Sequence, residues 1–147
     1  MMHDKITNFV FPPHSMTVEA GRLRFFAKAI GETNPVYSDE AAARAAGYRA
    51  LPVPPTFLFC LEMERPDPFG WIAALGLDLG RILHGEQSFT YHAPCYAGDT
   101  LFFDAKIIDS YEKKGGALLF IVKDAVVRNQ DGTHIADLRT TLVHRNS

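Results

Sequence analysis

The 147-residue chain has two cysteines, no long apolar run and no dominant sign of charge. Cys60 and Cys95 are too few for the disulfide framework of a small secreted domain, so reduced thiols are expected. The longest oily stretch, Phe57 to Leu61, follows three prolines and ends in Glu62-Met63-Glu64-Arg65. It falls far short of the roughly 18 residues that a membrane helix needs. Lys and Arg total 15 against 17 for Asp and Glu, a net charge of −2. That balance lacks the basic face that binding to nucleic-acid phosphates demands. Met1-Met2-His3-Asp4-Lys5 does not show the basic-then-apolar layout of a secretory signal. The expectation is a cytoplasmic protein with neither a nucleic-acid nor a membrane partner. There is no CxxC, HExxH, GxGxxG or GxxxxGK[ST]. The histidines at 3, 14, 84, 92, 134 and 144 show no helical i, i+4 spacing. Neither a metal nor a nucleotide cofactor is therefore expected.

What is present is an ordinary globular composition, 47% apolar and 22% charged. Residues 1–147 are expected to form a single domain. Leu23, Phe26, Ala27 and Ile30 repeat at i, i+3, i+4, i+7, which predicts a helix over 17–30 capped by Thr17 and stopped by Gly31. A second helix fits 38–46, with Ser38 as its cap and Gly47 as its end. The prolines of Leu51-Pro-Val-Pro-Pro disfavour helix, and 56–64 then reads as a third helix, apolar almost all round and therefore buried. Four strands follow at 83–93, 99–111, 117–128 and 133–144, joined by short Gly-rich turns and so antiparallel. In the third, Leu118, Phe120, Val122 and Val126 read as the apolar face. The economical packing is α+β: a long curved antiparallel sheet wrapped around the buried helix.

Residues 25–37, Phe-Phe-Ala-Lys-Ala-Ile-Gly-Glu-Thr-Asn-Pro-Val-Tyr, resemble the hydratase-2 motif of MaoC-like dehydratases, a branch of the hot-dog fold. The alanine-rich stretch to Gly47, the lead Tyr48-Arg-Ala-Leu-Pro-Val-Pro-Pro-Thr-Phe, His84-Gly-Glu-Gln-Ser-Phe-Thr-Tyr-His-Ala-Pro and Ala97-Gly-Asp-Thr-Leu continue the likeness across most of the chain. The resemblance implies a hydro-lyase that interconverts 3-hydroxyacyl and trans-2-enoyl thioesters, with an acyl-CoA or acyl-carrier thioester as substrate and no further cofactor. It also implies a dimer, either a homodimer or a heterodimer with a MaoC-like subunit, because a single wrapped sheet leaves an open edge.

The family places an Asp and a His where this chain has Glu32 and Tyr37. Glu is one methylene longer than Asp, and a phenol with a reference pKa near 10 is a poor base at neutral pH. At the helix mouth the prolines have no N–H, so an oxyanion donor would come from Thr56 or Phe57. These departures resemble the FAS1-like, N-terminal MaoC half, which shapes an acyl channel while a partner half supplies catalysis. Two roles stay open. One is a divergent hydratase using Glu32, Tyr37 or His84, with Asn34, Pro55, Thr56, Phe57 and Gln87 around the substrate. The other is a non-catalytic acyl-binding subunit. A hot-dog thioesterase, with Glu62 or Glu64 as its acid, is a weaker third.

Each residue also has a plain structural reading. Asn34-Pro35 shapes a turn, Glu32 is solvated, and Tyr37 packs its ring. His84 shares a strand face with Glu86 and Ser88 and is hydrogen-bonded there. Gln87 satisfies backbone groups, His92 is exposed, and Cys60 is core. Trp71, Phe69 and Ile72 line an acyl tunnel or cover the core. Lys113, Lys114, Arg44 and Arg49 are loose candidates for a CoA phosphate.

Overall fold

The computed structural model describes residues 2–146. Its five strands are β1 (His14–Thr17), β2 (Ile82–Tyr91), β3 (Thr100–Lys113), β4 (Leu118–Arg128) and β5 (His134–Arg145). They form one sheet in the order β1-β3-β4-β5-β2, with every pairing antiparallel. The helices are α1 (Met2–Thr7), α2 (Ala20–Ala29), α3 (Glu40–Ala45), α4 (Phe57–Glu62) and α5 (Gly70–Ala74). None of them is long and apolar enough to cross a membrane.

Helix α4 is the centre of the packing. Pro54 and Pro55 precede it, and Pro66 and Pro68 prevent it from running on into α5. Phe57, Leu58 and Leu61 are buried, whereas Phe59 and Cys60 are only half-buried. Cys60 is thus less enclosed than a core residue. Leu58 and Leu61 join Leu23 of α2 and Leu101, Val127, Ile135 and Leu138 of the sheet in one cluster. A second cluster gathers Ile6 of α1, Trp71 and Ile72 of α5, and Ile107, Leu119 and Ile121 of the sheet. Each fully buried aliphatic side chain contributes about 1.5–3 kcal/mol. The buried His14 ring, through Nε2, bonds the Leu61 carbonyl at 2.9 Å and ties α4 to β1.

Four expectations are corrected. Thr17 does not cap a helix; it ends β1 opposite Thr100, and α2 begins only at Ala20. Val18 N–H donates to the Asp99 carbonyl at 2.8 Å, so sheet pairing outcompetes the local cap. Asp39 rather than Ser38 caps α3, its Oδ1 accepting from Ala41 N–H at 2.9 Å. Ser38 is occupied in closing the preceding 3-10 turn, Pro35–Tyr37.

The third correction concerns β4. Its inward row is Leu119, Ile121, Lys123, Ala125 and Val127, all buried. Leu118, Phe120, Val122 and Val126 lie on the half-buried opposite face. Both faces are apolar, and the lysine in the inward row points a period-two reading to the wrong one. The fourth concerns β2, whose register against β5 shifts between His84 and Glu86. At this bulge a Cβ on Gly85 would be tight, meeting Val143 Cγ2 at 3.1 Å and the Thr141 carbonyl at 3.3 Å. The extra residue puts His84 in company with Gln87, whereas Glu86 and Ser88 border Arg139 and Thr141.

Candidate functional site

The segment after α2 is built by its own polar side chains. Gly31, with φ of 71°, ends the helix. Glu32 Oε1 accepts from Asn34 N–H at 2.9 Å, and Asn34 Oδ1 accepts from Val36 N–H at 3.2 Å. Asn34 therefore caps the Pro35–Tyr37 turn, and Glu32 fixes the approach to it. Tyr37 is half-buried. Burial, then the charge of Glu32 and the neighbouring Tyr48, pushes its phenol above the ordinary value. A raised phenol stays protonated at neutral pH and can donate a hydrogen bond but not take a proton.

The helix mouth is the N-terminus of α4. The Phe57 N–H is committed to the Pro54 carbonyl at 3.0 Å, and the Phe57 ring is buried against Phe26 with centroids 4.9 Å apart. This leaves Thr56, exposed and without such a bond, as the backbone donor at this end. The Pro55 carbonyl accepts from the Tyr91 hydroxyl of β2, which fixes the mouth to the sheet. Val53, Pro54, Pro55, Leu58 and Tyr91 line a cavity of about 270 Å³ here.

His84 and Gln87 occupy the sheet side. Gln87 Oε1 accepts from Thr140 Oγ1 at 2.7 Å and lies 3.1 Å from His84 Nε2. The amide thus orients the imidazole through its oxygen, while its Nε2 donates to the Ser88 backbone carbonyl at 3.5 Å. Phe59 of α4 packs on the His84 ring with centroids 5.3 Å apart. His84 stands on the rim of a second cavity of about 290 Å³, whose walls include Phe69, Trp71 and Ile72. Among the described residues, no hydrogen bond or ring contact joins Glu32 or Tyr37 to His84. The acids of a thioesterase are also spent: Glu62 pairs with Lys123, and Glu64 with Arg22.

Sequence reasoning missed two groups. Asp99, 1% exposed, accepts from Arg49 at 2.5 Å, from Gln130 at 3.0 Å and from Tyr96 N–H at 2.9 Å. Burial alone would raise its carboxyl, but these hydrogen bonds outweigh it and hold the group below the usual range. Arg49 also lies over the Tyr96 ring at 4.4 Å, so it is a structural partner and not a free phosphate ligand. Around this hub Val53 N–H bonds the Cys95 carbonyl and Ala97 N–H bonds the Leu51 carbonyl, each at 2.9 Å. Asp99 therefore positions the entry into α4.

The second group is His92, His134 and Asp137. Each imidazole Nε2 lies 2.7 Å from one oxygen of the Asp137 carboxylate, and the rings stack at 4.1 Å. Two imidazoles and a carboxylate within 4.8 Å are a donor set that a divalent transition metal accepts. The pairing of β2 with β5 assembles it from positions 42 or more residues apart for His92, which linear spacing hides. Burial works to raise the Asp137 carboxyl, but the two histidines hold it below its ordinary value.

The free thiols give a direct check on packing. Burial, then the charge of Asp99, pushes Cys95 up to about 12, and burial also raises Cys60. Iodoacetamide at pH 8 should therefore label neither quickly in the folded chain and both after unfolding, as peptide mass mapping will show. Rapid native labelling of Cys95 would contradict its burial.

Residues 6–138 match the family model described as FAS1-like, dehydratase domain region. A UPF0336 protein of Streptomyces avermitilis is 37% identical over 137 residues, 92% of this chain and 89% of that protein. Among solved structures, the ChsH1-ChsH2 complex of Mycobacterium tuberculosis contains a similar chain, with a TM-score of 0.78 and 27% identity over 97% of this chain and 92% of that one. The C-terminally truncated HadBC (3R-hydroxyacyl-ACP dehydratase) complex from the same organism contains another, with a TM-score of 0.72 and 26% identity over 90% and 92%.

Proposed function

Because the chain belongs to the FAS1-like dehydratase-region family, with the hot-dog fold of MaoC-like dehydratases, we propose that it is the acyl-thioester-holding half of a 3-hydroxyacyl-thioester dehydratase, paired with a MaoC-like subunit that supplies the acid and base. The carrying observation is the state of the loop after α2. Glu32 serves its own turn through Asn34 N–H, and Tyr37 keeps its proton. Removing water from a 3-hydroxyacyl thioester needs a base at the α-carbon and an acid at the hydroxyl, both within about 2.6–3.2 Å of their protons. This loop offers neither in one place.

Two further features support the reading. Among the described residues β2 pairs only with β5, so its other edge presents the outward-facing N–H and C=O groups of about every second one of its ten residues to a partner. The HadBC and ChsH1-ChsH2 structures are themselves complexes. In the dehydratase, the partner's sheet would extend this one across β2. Thr56 N–H would polarise the thioester carbonyl, and Tyr37 would donate to the substrate. Asn34, Pro55, Phe57 and Gln87 would then hold the surrounding backbone and the His84 ring in place.

A second reading has one observation in its favour. His84 is oriented by Gln87 on the rim of an apolar cavity, and an imidazole is a residue type suited to proton transfer. Crotonyl-CoA hydration, followed as loss of enoyl absorbance, separates the two. The chain alone should be about 10²–10⁴-fold slower than the chain with a MaoC-like partner, the usual contribution of a positioned acid and base. Full turnover by the chain alone, lost in Glu32→Ala or His84→Ala, would overturn the subunit reading.

A further inference from the structure

The inward row of β4 carries one charge. Lys123 stands between Ile121 of one core cluster and Ala125 of the other, and its Nζ lies 2.8 Å from Glu62 Oε1 on α4. Both side chains are nine-tenths buried or more. Desolvating two charges costs several kcal/mol per ion, and hydrophobic replacements of similar volume are commonly as stable or more so. Packing by itself does not explain the pair.

Its surroundings do. Two cavities, of about 310 and 290 Å³, share Lys123, Pro68 and Trp71 in their walls. The larger is bounded by Phe9, Phe11 and Arg65. The other runs past Phe59, Met63 and Leu142 and reaches His84 and Thr140. An ammonium has three N–H donors; among the described residues Lys123 makes one ion pair, to Glu62 Oε1, and that oxygen has no hydrogen-bond partner of its own. Arg65 donates from one Nη to the Pro12 carbonyl at 2.7 Å, while its Nε and its other Nη are buried with no acceptor. Burial, moreover, disfavours the charged form of Arg65. Apolar walls thus carry unmet cationic donors, set against the buried Glu62 carboxylate and the exposed Asp67.

We propose that this chamber takes an acyl group bearing a keto or carboxylate oxygen remote from its thioester, and that Lys123 donates to that oxygen. The inference rests on the acyl-thioester reading above and adds a substrate class to it. A plain alkyl tail fits the walls but strips water from Lys123 and Arg65 without replacing its hydrogen bonds. An oxygen at that depth replaces them and, as a carboxylate, balances the second cation. The apolar walls select the hydrocarbon body, and the buried donors select the far end.

The test pairs saturated acyl-CoAs of six to twelve carbons with their ω-carboxy and (ω−1)-oxo counterparts and measures binding calorimetrically to the chain with its partner. At the matching length the oxygenated member should bind about tenfold tighter, the worth of a hydrogen bond to a charged group. Lys123→Met should abolish the preference and leave plain acyl-CoA affinity within about threefold. Should Lys123→Met unfold because Glu62 is left unpaired, Lys123→Met with Glu62→Gln gives the same reading in a neutral chamber. Equal binding of plain and oxygenated acyl-CoAs by the wild type, or a preference that survives either variant, overturns the inference alone. Absence of binding by every thioester overturns the acyl-thioester reading and the inference with it.

Discussion

Glu62→Ala should lower unfolding stability by about 3–5 kcal/mol, the usual consequence of leaving one member of a buried ion pair alone. Lys123 has no second carboxylate in the described hydrogen bonds and ion pairs, and its side chain is about nine-tenths buried. The pair as a unit should behave differently. With both partners made apolar, as in Glu62→Leu with Lys123→Met, the desolvation cost of two charges disappears. Stability should then return to the wild-type value or exceed it by about 1–4 kcal/mol. Urea midpoints with an unchanged m-value will measure both effects. A single variant as stable as the wild type would show that Lys123 finds another acceptor. A double variant as unstable as the single one would show that the pair is needed for packing.

Asp99→Ala should cost about 3 kcal/mol, through a different mechanism. The carboxylate serves three donors at once, and its loss strands the Tyr96 N–H beneath the lead into α4. Arg49 and Gln130 can turn to solvent, which keeps the cost below that of a wholly enclosed network. Asp99→Asn separates charge from geometry, since it keeps an acceptor of the same shape. The pH dependence has a definite sign. A carboxyl whose folded pKa lies below its unfolded value adds stability above the unfolded pKa, and that stability is lost as pH falls through the folded one. The gap between wild type and Asp99→Asn should therefore be full above about pH 4 and shrink below it. A gap that stays constant down to pH 2 would mean that the hydrogen bonds, not the charge, supply the whole effect.

The long elements were legible because their patterns are redundant. The four strands expected at 83–93, 99–111, 117–128 and 133–144 lie within two residues of β2 to β5 at each end. Helix α4 was readable from its oil and its prolines. Short elements depend on distant partners: β1 exists because Thr17 meets Thr100, and no local signal competes with the apparent cap at Thr17. The inward face of β4 was hidden because Lys123 breaks the row that is buried. The same residue that defeated the pattern carries the functional proposal, as expected where local rules yield to a site. His84 and Gln87 were recognisable as site candidates, but their companionship was not. It is set by one extra residue at Gly85. Asp99 and the His92, His134 and Asp137 trio needed the strand pairing itself.

The position of β2 at the end of the sheet has a consequence for the order of assembly. Its single neighbour is β5, which follows β3 and β4 in the chain. Until residues 134–145 have emerged and docked, β2 has no hydrogen-bonded neighbour and Gln87 lacks the Thr140 hydroxyl that orients it. The pairing is long in sequence, the kind of contact that forms late. The outer edge of β2 is therefore completed only after the rest of the sheet is in place. Until then the free edge of the sheet belongs to β5, and the edge that the finished chain shows, with its bulge at Gly85, is the last to be made.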